Sequence, residues 1–253
     1  MSTYKRESPP QRLHFVILLV SLFTSALFSQ ESFPNCQSSS DALVLSGNAR
    51  DWQFVNAVGP HSALLGREDG TFEAWVFPLK LFRDFHLTFR AGDHQIPAAN
   101  LPRTITIRPE STSIRYISDT FSVCETWFVP LHETGAVVTL QIQSTEPLQT
   151  LASFEPDIAW MWPAGMGAAY SEWNPQLKAF RFGEEEHRFY ALAGSPEATS
   201  TRQAYAMNYS SSQSDAFDFG PPATGTVTYH FVIVASFEGQ KQAEDLYREL
   251  AAQ

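Results

Sequence analysis

Apolar residues recur at every second position through most of this chain, and a period of two can be buried only by strands. Phe72, Ala74 and Val76 alternate with Glu73, Trp75 and Phe77, and Phe85, Leu87 and Phe89 alternate with His86 and Thr88. Ile105 and Ile107 continue the pattern, as do Phe121, Val123, Trp127 and Val129, a set interrupted by Glu125. Val138, Leu140 and Ile142 follow, then Phe189, Ala191 and Ala193, then the run from Val227 to Phe237. Turn signals stand between them at Asp69-Gly70, Gly92-Asp93, Thr134-Gly135 and Gly220-Pro221-Pro222. No stretch before residue 238 has a long helical period. Strands joined by short turns without helical crossovers predict an all-β, antiparallel sandwich.

Several strands carry bulky side chains on both faces. Trp75, Phe77 and Phe128 fall opposite the first apolar set of their strands. That predicts a sheet covered on its outer face as well, as in a sandwich that meets another domain. The chain changes character at its end: Ala243, Leu246, Tyr247 and Leu250 share a helical face, with Glu244 and Arg248 an i,i+4 pair. The expected organisation is residues 1–29 as an export signal, 30–44 as a flexible leader, 45–237 as the β-sandwich and 238–253 as a short C-terminal helix. That helix is read either as docking on the sandwich or as the start of a connector.

The export reading rests on Lys5, Arg6 and Arg12 preceding the apolar run LHFVILLVSLFTSALFS. The run is short for a membrane anchor, which needs roughly 20 apolar residues. The expected location is secreted or periplasmic, without a stable membrane span after cleavage. With 17 basic and 27 acidic residues the net charge is −10, which argues against a nucleic-acid partner. The two cysteines, Cys36 and Cys124, are read either as one disulfide in an oxidising compartment or as two separate thiols.

The segment FEPDIAWMWPAGMGAAYSEWNPQLK places Trp160, Trp162, Tyr170 and Trp173 at irregular spacing, with Asp157 and Glu172 among them. Pro163, Gly165 and Gly167 interrupt any strand here, so a large loop or broken hairpin is expected. Indole and phenol rings suit the C–H faces of sugars, and carboxylates accept from sugar hydroxyls. The same composition equally serves a core or interdomain contact. His61, Arg67, Glu68, Asp69 and Glu73 form a second polar group, for which a hairpin turn is the simpler reading. Glu184-Glu185-Glu186 reads as a solvated loop. The seven histidines show no metal-ligand spacing, and no nucleophile or phosphate-loop signature is present, so neither a metal, a cofactor nor a catalytic residue is expected.

The segments ALLGREDGTFEAWVFPLKLFRDFHLTF, FSVCETWFVPLHETGAVVTLQI, PDIAWMWPAG and ALAGSP resemble the amino-terminal domain of bacterial six-hairpin glycosidases, chiefly glycogen-debranching-like and amylo-alpha-1,6-glucosidase-like proteins. The likeness runs from about Leu45 onward. It implies an antiparallel β-supersandwich that packs on an (α/α)6 domain, in cis or in trans, with the catalytic acids on that domain and not among these residues. A non-catalytic accessory domain contacting an oligosaccharide or polysaccharide is therefore expected. A stand-alone carbohydrate-binding module and a structural surface protein without a ligand are the alternatives. An enzyme acting alone would need two facing carboxylates about 5 to 10 Å apart in a cleft.

Overall fold

The structure, a computed structural model, describes residues 43–163, 166–203 and 214–252. The signal, most of the leader and Cys36 lie outside the described residues. In chain order the strands are β1 (Leu45–Asn48), β2 (Phe54–Val58), β3 (Ser62–Arg67), β4 (Phe72–Val76), β5 (Leu79–Ala91), β6 (His94–Pro97), β7 (Arg103–Ile107) and β8 (Ser111–Ile117). Then come β9 (Phe121–Phe128), β10 (Gly135–Trp160), β11 (Ala169–Asn174), β12 (Ala179–Glu184), β13 (Tyr190–Gly194), β14 (Ala198–Arg202) and β15 (Asp215–Ser236). Helix α1 (Gln240–Ala251) follows. The pairings are antiparallel, so the fold is the all-β sandwich with a short terminal helix that the alternation predicts.

Two long strands build both layers. The first half of β10 pairs with β9 and with the end of β15. Register shifts between Ser144 and Leu148 and between Leu148 and Thr150 turn the chain. The second half of β10 then pairs with β5 and with the start of β15. One layer therefore runs β1-β7-β8-β9-β10-β15-β13-β12-β11. The other runs β2-β3-β4-β5-β10-β15-β14, with β6 on β5. Bulges bend a strand without ending its ladder, which lets one strand serve two sheets. Gly220-Pro221-Pro222, expected as a turn between strands, lies inside β15 at this bend. Gly220 adopts φ +60°, and the Gln149 side chain donates to its carbonyl at 2.8 Å.

The core lies between the layers and is mostly phenylalanine. Phe82 of β5 meets Phe154 of β10 at 4.6 Å, Phe231 of β15 at 6.0 Å and Phe182 of β12 at 6.3 Å. Phe72 of β4 meets Trp127 of β9 edge-on at 5.0 Å, and Phe89 of β5 meets Tyr116 of β8 at 5.8 Å. Phe154 neighbours Phe82 within its own layer, whereas the other contacts cross between the layers, all at the centroid spacings that aromatic pairs favour. The burial of β4 alternates strictly: Phe72, Ala74 and Val76 are inside while Glu73 and Trp75 stay half-exposed.

Glu125, the residue that interrupts the apolar run of β9, is also inside and fully buried. Tyr116 donates its hydroxyl to Oε2 at 2.6 Å, and Trp127 donates Nε1–H to Oε1 at 2.8 Å. Burial pushes its pKa up to about 7, against the pull of those two hydrogen bonds.

Helix α1 lies on the outer face of the first layer. Ala243, Tyr247 and Leu250 cover Val137, Leu192, Val232 and Val234, and Leu246 packs at the margin. Burial of each large side chain contributes about 1.5–3 kcal/mol. The Glu244–Arg248 pair forms at 3.0 Å on the exposed side. Among the described residues, no helix is long and apolar enough to cross a membrane.

Candidate functional site: an aromatic cluster at the end of β10

Trp160 is the last residue of β10, just ahead of the Pro163-containing segment that breaks the strand. Its ring stacks near-parallel with Trp162, at 5.5 Å and 19°. Phe237, just past β15, stacks with it at 6.4 Å and 19°. Phe189, just before β13, meets it edge-on at 6.4 Å and 74°. The Arg188 guanidinium lies 5.7 Å from the Trp160 ring centroid, within cation–π reach. Three separate segments thus converge on one ring. Trp162 and Phe237 are 53% and 48% exposed, so the cluster opens to the surface.

Arg188 is held from below by Glu184. That carboxylate accepts the backbone N–H of Glu186 at 2.9 Å and of Arg188 at 2.5 Å, with the guanidinium Nη2 at 3.5 Å. Burial raises its pKa, but these donors more than reverse the effect, leaving it below the ordinary carboxylate value. Glu184 is therefore a buried anchor at the end of β12, not part of a solvated run; Glu185 and Glu186 are the exposed members. The chain turns here because the Glu184 carboxylate gathers the N–H groups of Glu186 and Arg188, while His187 N–H donates to the Glu184 carbonyl.

The structure brings Trp160 and Trp162 together but places the other predicted site residues elsewhere. Tyr170, Glu172 and Trp173 lie on the edge strand β11. Glu172 pairs with Arg181 at 2.5 Å, and Arg181 also lies 5.8 Å from the Tyr170 ring centroid. Burial raises the Tyr170 hydroxyl pKa. Tyr170 fits because Gly183 faces it: a Cβ there would stand 2.4 Å from the hydroxyl oxygen. Trp173 packs edge-on against Phe180 at 5.0 Å, at the margin of the core. Asp157 is in an ion pair with Lys80 at 2.6 Å, with Arg83 3.9 Å away. Cys124 is on β9, 7% exposed. Among the described residues, no group of three or more His, Cys, Asp or Glu side chains is placed to hold a metal ion.

No family model matches the chain, and no curated protein matches it. The fold is similar to that of a bacterial glucoamylase solved with acarbose: TM-score 0.53, 8% identity, covering 88% of this chain and 37% of that one. A protein from Escherichia coli K12 assigned as an aldose 1-epimerase aligns with TM-score 0.46 and 9% identity, over 73% of this chain and 99% of that one. A human-microbiome protein assigned as a kojibiose phosphorylase aligns with TM-score 0.45 and 6% identity, over 81% and 29%. At these identities the glucoamylase match establishes a shared fold. The shared fold is all-β, and the chain spans 37% of that glucoamylase.

Proposed function

We propose that this chain is the accessory β-sandwich of a secreted or periplasmic glycoside-hydrolase-like protein of the six-hairpin type, non-catalytic by itself, which packs on an (α/α)6 domain in cis or in trans. The observation that carries the reading is the surface cluster of Trp162, Phe237 and Arg188 around half-buried Trp160, backed by buried Phe189, on a fold shared with glucoamylase. Aromatic residues and arginine are the types enriched at the buried centre of protein interfaces. A sugar platform needs a free ring face. The Trp160 ring is already engaged by Trp162, Phe237, Phe189 and Arg188, so the cluster favours a protein contact over a glycan. Glycosidic hydrolysis then belongs to the partner domain.

The test is the mass and composition of the exported product in its native source, compared with a Trp162→Ser variant. The reading expects an association with a helical glycosidase domain, covalent or not. Where the contact is non-covalent, Trp162→Ser should weaken it about tenfold or more, the scale of a central interface tryptophan. A native product that elutes alone and is indifferent to Trp162→Ser would contradict it.

Export also bears on the cysteines. The proposal includes a bridge between Cys36 and Cys124, tying the leader to β9. Intact mass should then rise by two hydrogens on reduction, and melting should fall by several degrees, since such a bridge contributes about 2–4 kcal/mol. An unchanged mass would refute the bridge.

A further inference from the structure

A second surface has the features that the aromatic cluster lacks. On the outer face of the second layer a concavity of about 550 Å³ is lined by Phe54, Asn56, Arg67, Glu73, Arg83 and Asp84, among others. That volume falls within the range of small-ligand sites, about 300–1,000 Å³. Strand register explains how it is built. Asn56, Leu65 and Glu73 form one cross-strand row over β2, β3 and β4, and Phe54 and Arg67 stand opposite each other in the next. With a period of two, both rows face outward while Val55, Leu64 and Phe72 point into the core.

We propose that this groove binds a neutral hexopyranose unit of an oligosaccharide. Phe54 is 81% exposed and, among the described residues, has no ring partner, so a ring face is available to the C–H face of a sugar. Arg67 is exposed and, among the described residues, makes no ion pair, which leaves its fork of donors open to sugar hydroxyl oxygens. Glu73 holds the Trp75 indole N–H with Oε1 at 2.8 Å, which orients the carboxylate and leaves Oε2 to accept a hydroxyl. The charge balance selects the class of sugar. Arg67 and Arg83 face Glu73 and Asp84, and Arg83 is already paired with Glu155 at 3.0 Å, so the groove offers no positive surplus to an acidic glycan.

The proposal is independent of the interface reading, and one experiment separates them. The folded chain, labelled with 15N, is titrated with maltotetraose, cellotetraose and mannotetraose, with tetragalacturonate as the acidic control. At least one neutral tetraose should bind saturably and shift amide signals of β2, β3 and β4. Phe54→Ala should weaken that binding about tenfold, the scale of one lost stacking contact. Arg67→Ala should weaken it as well, while Trp162→Ser leaves it unchanged. Phe54 and Arg67 are both exposed, so an unchanged unfolding midpoint shows that each variant retains its fold. Three outcomes would overturn the site: no saturable binding of a neutral tetraose, binding that survives both groove substitutions, or binding of the galacturonate alone. Loss of binding in Trp162→Ser would move the sugar to the aromatic cluster and overturn both readings together.

Discussion

Glu125→Gln is expected to abolish about 3 kcal/mol of pH-dependent stability loss in this domain between pH 4.5 and about 7. Glu125 is completely buried beneath Tyr116 and Trp127, and its pKa is raised from the ordinary 4.5 to about 7, chiefly by desolvation. The folded chain therefore holds this proton more tightly than the unfolded chain does. Below pH 4.5 both states are protonated and the stabilisation is complete. Between there and pH 7 the unfolded chain releases the proton while the folded chain keeps it, so stability falls as pH rises. Above 7 the loss is complete. Asp69, facing the site from the β3–β4 turn, adds to the upward shift of Glu125, while Arg103, from β7, favours ionisation of Tyr116. Glutamine mimics the protonated acid: its oxygen accepts from Trp127, and its N–H can donate to the Tyr116 oxygen. Urea unfolding of both proteins at a pH of about 4 and about 8 checks this, since the stability difference should move by about 3 kcal/mol in favour of Gln. A difference that stays flat would mean that Glu125 ionises in the fold at its ordinary pH.

Phe82→Ala should be the most damaging single truncation, at about 3–5 kcal/mol. Phe82 has no exposed surface, and its ring meets Phe72, Phe85, Phe154, Phe182 and Phe231. Those neighbours come from both layers and from both strands that cross between them. The cavity would thus open at the seam where β10 and β15 change sheets, and rigid ladders on either side limit its collapse. A lowered urea midpoint with an unchanged slope is expected. A loss below about 1.5 kcal/mol would show that the seam repacks.

The short strands were legible because each buries one face. The pattern at Phe72–Val76 and Phe85–Phe89 transfers directly into β4 and β5. The length of β10 and β15 was not legible. Proline and glycine at positions 220 to 222 carry the local chemistry of a turn, and only tertiary pairing on both sides keeps the strand continuous. Glu125 reads as a break in its run because periodicity does not reveal that Tyr116 and Trp127 will supply donors. At the site, Trp160 and Trp162 were visible as composition, whereas Phe189, Phe237 and Arg188 arrive from distant segments with no local signal. Tyr170, Glu172 and Trp173 lie close to them in sequence only. Their alternation on β11 instead sends Tyr170 and Glu172 to one face, against Arg181, and Trp173 to the other, against Phe180.

The central claim is that the Trp160–Trp162–Phe237 patch is one side of a protein interface in a glycosidase-like assembly. A photo-crosslinking amino acid at position 162 of the exported protein, followed by sequencing of the linked peptide, tests it most directly. The account predicts a crosslink to a helical segment of an (α/α)6 domain, in the same longer chain or in a second one. A crosslink to glycan alone, or a residue 162 that reacts only with water in the native product, would contradict it.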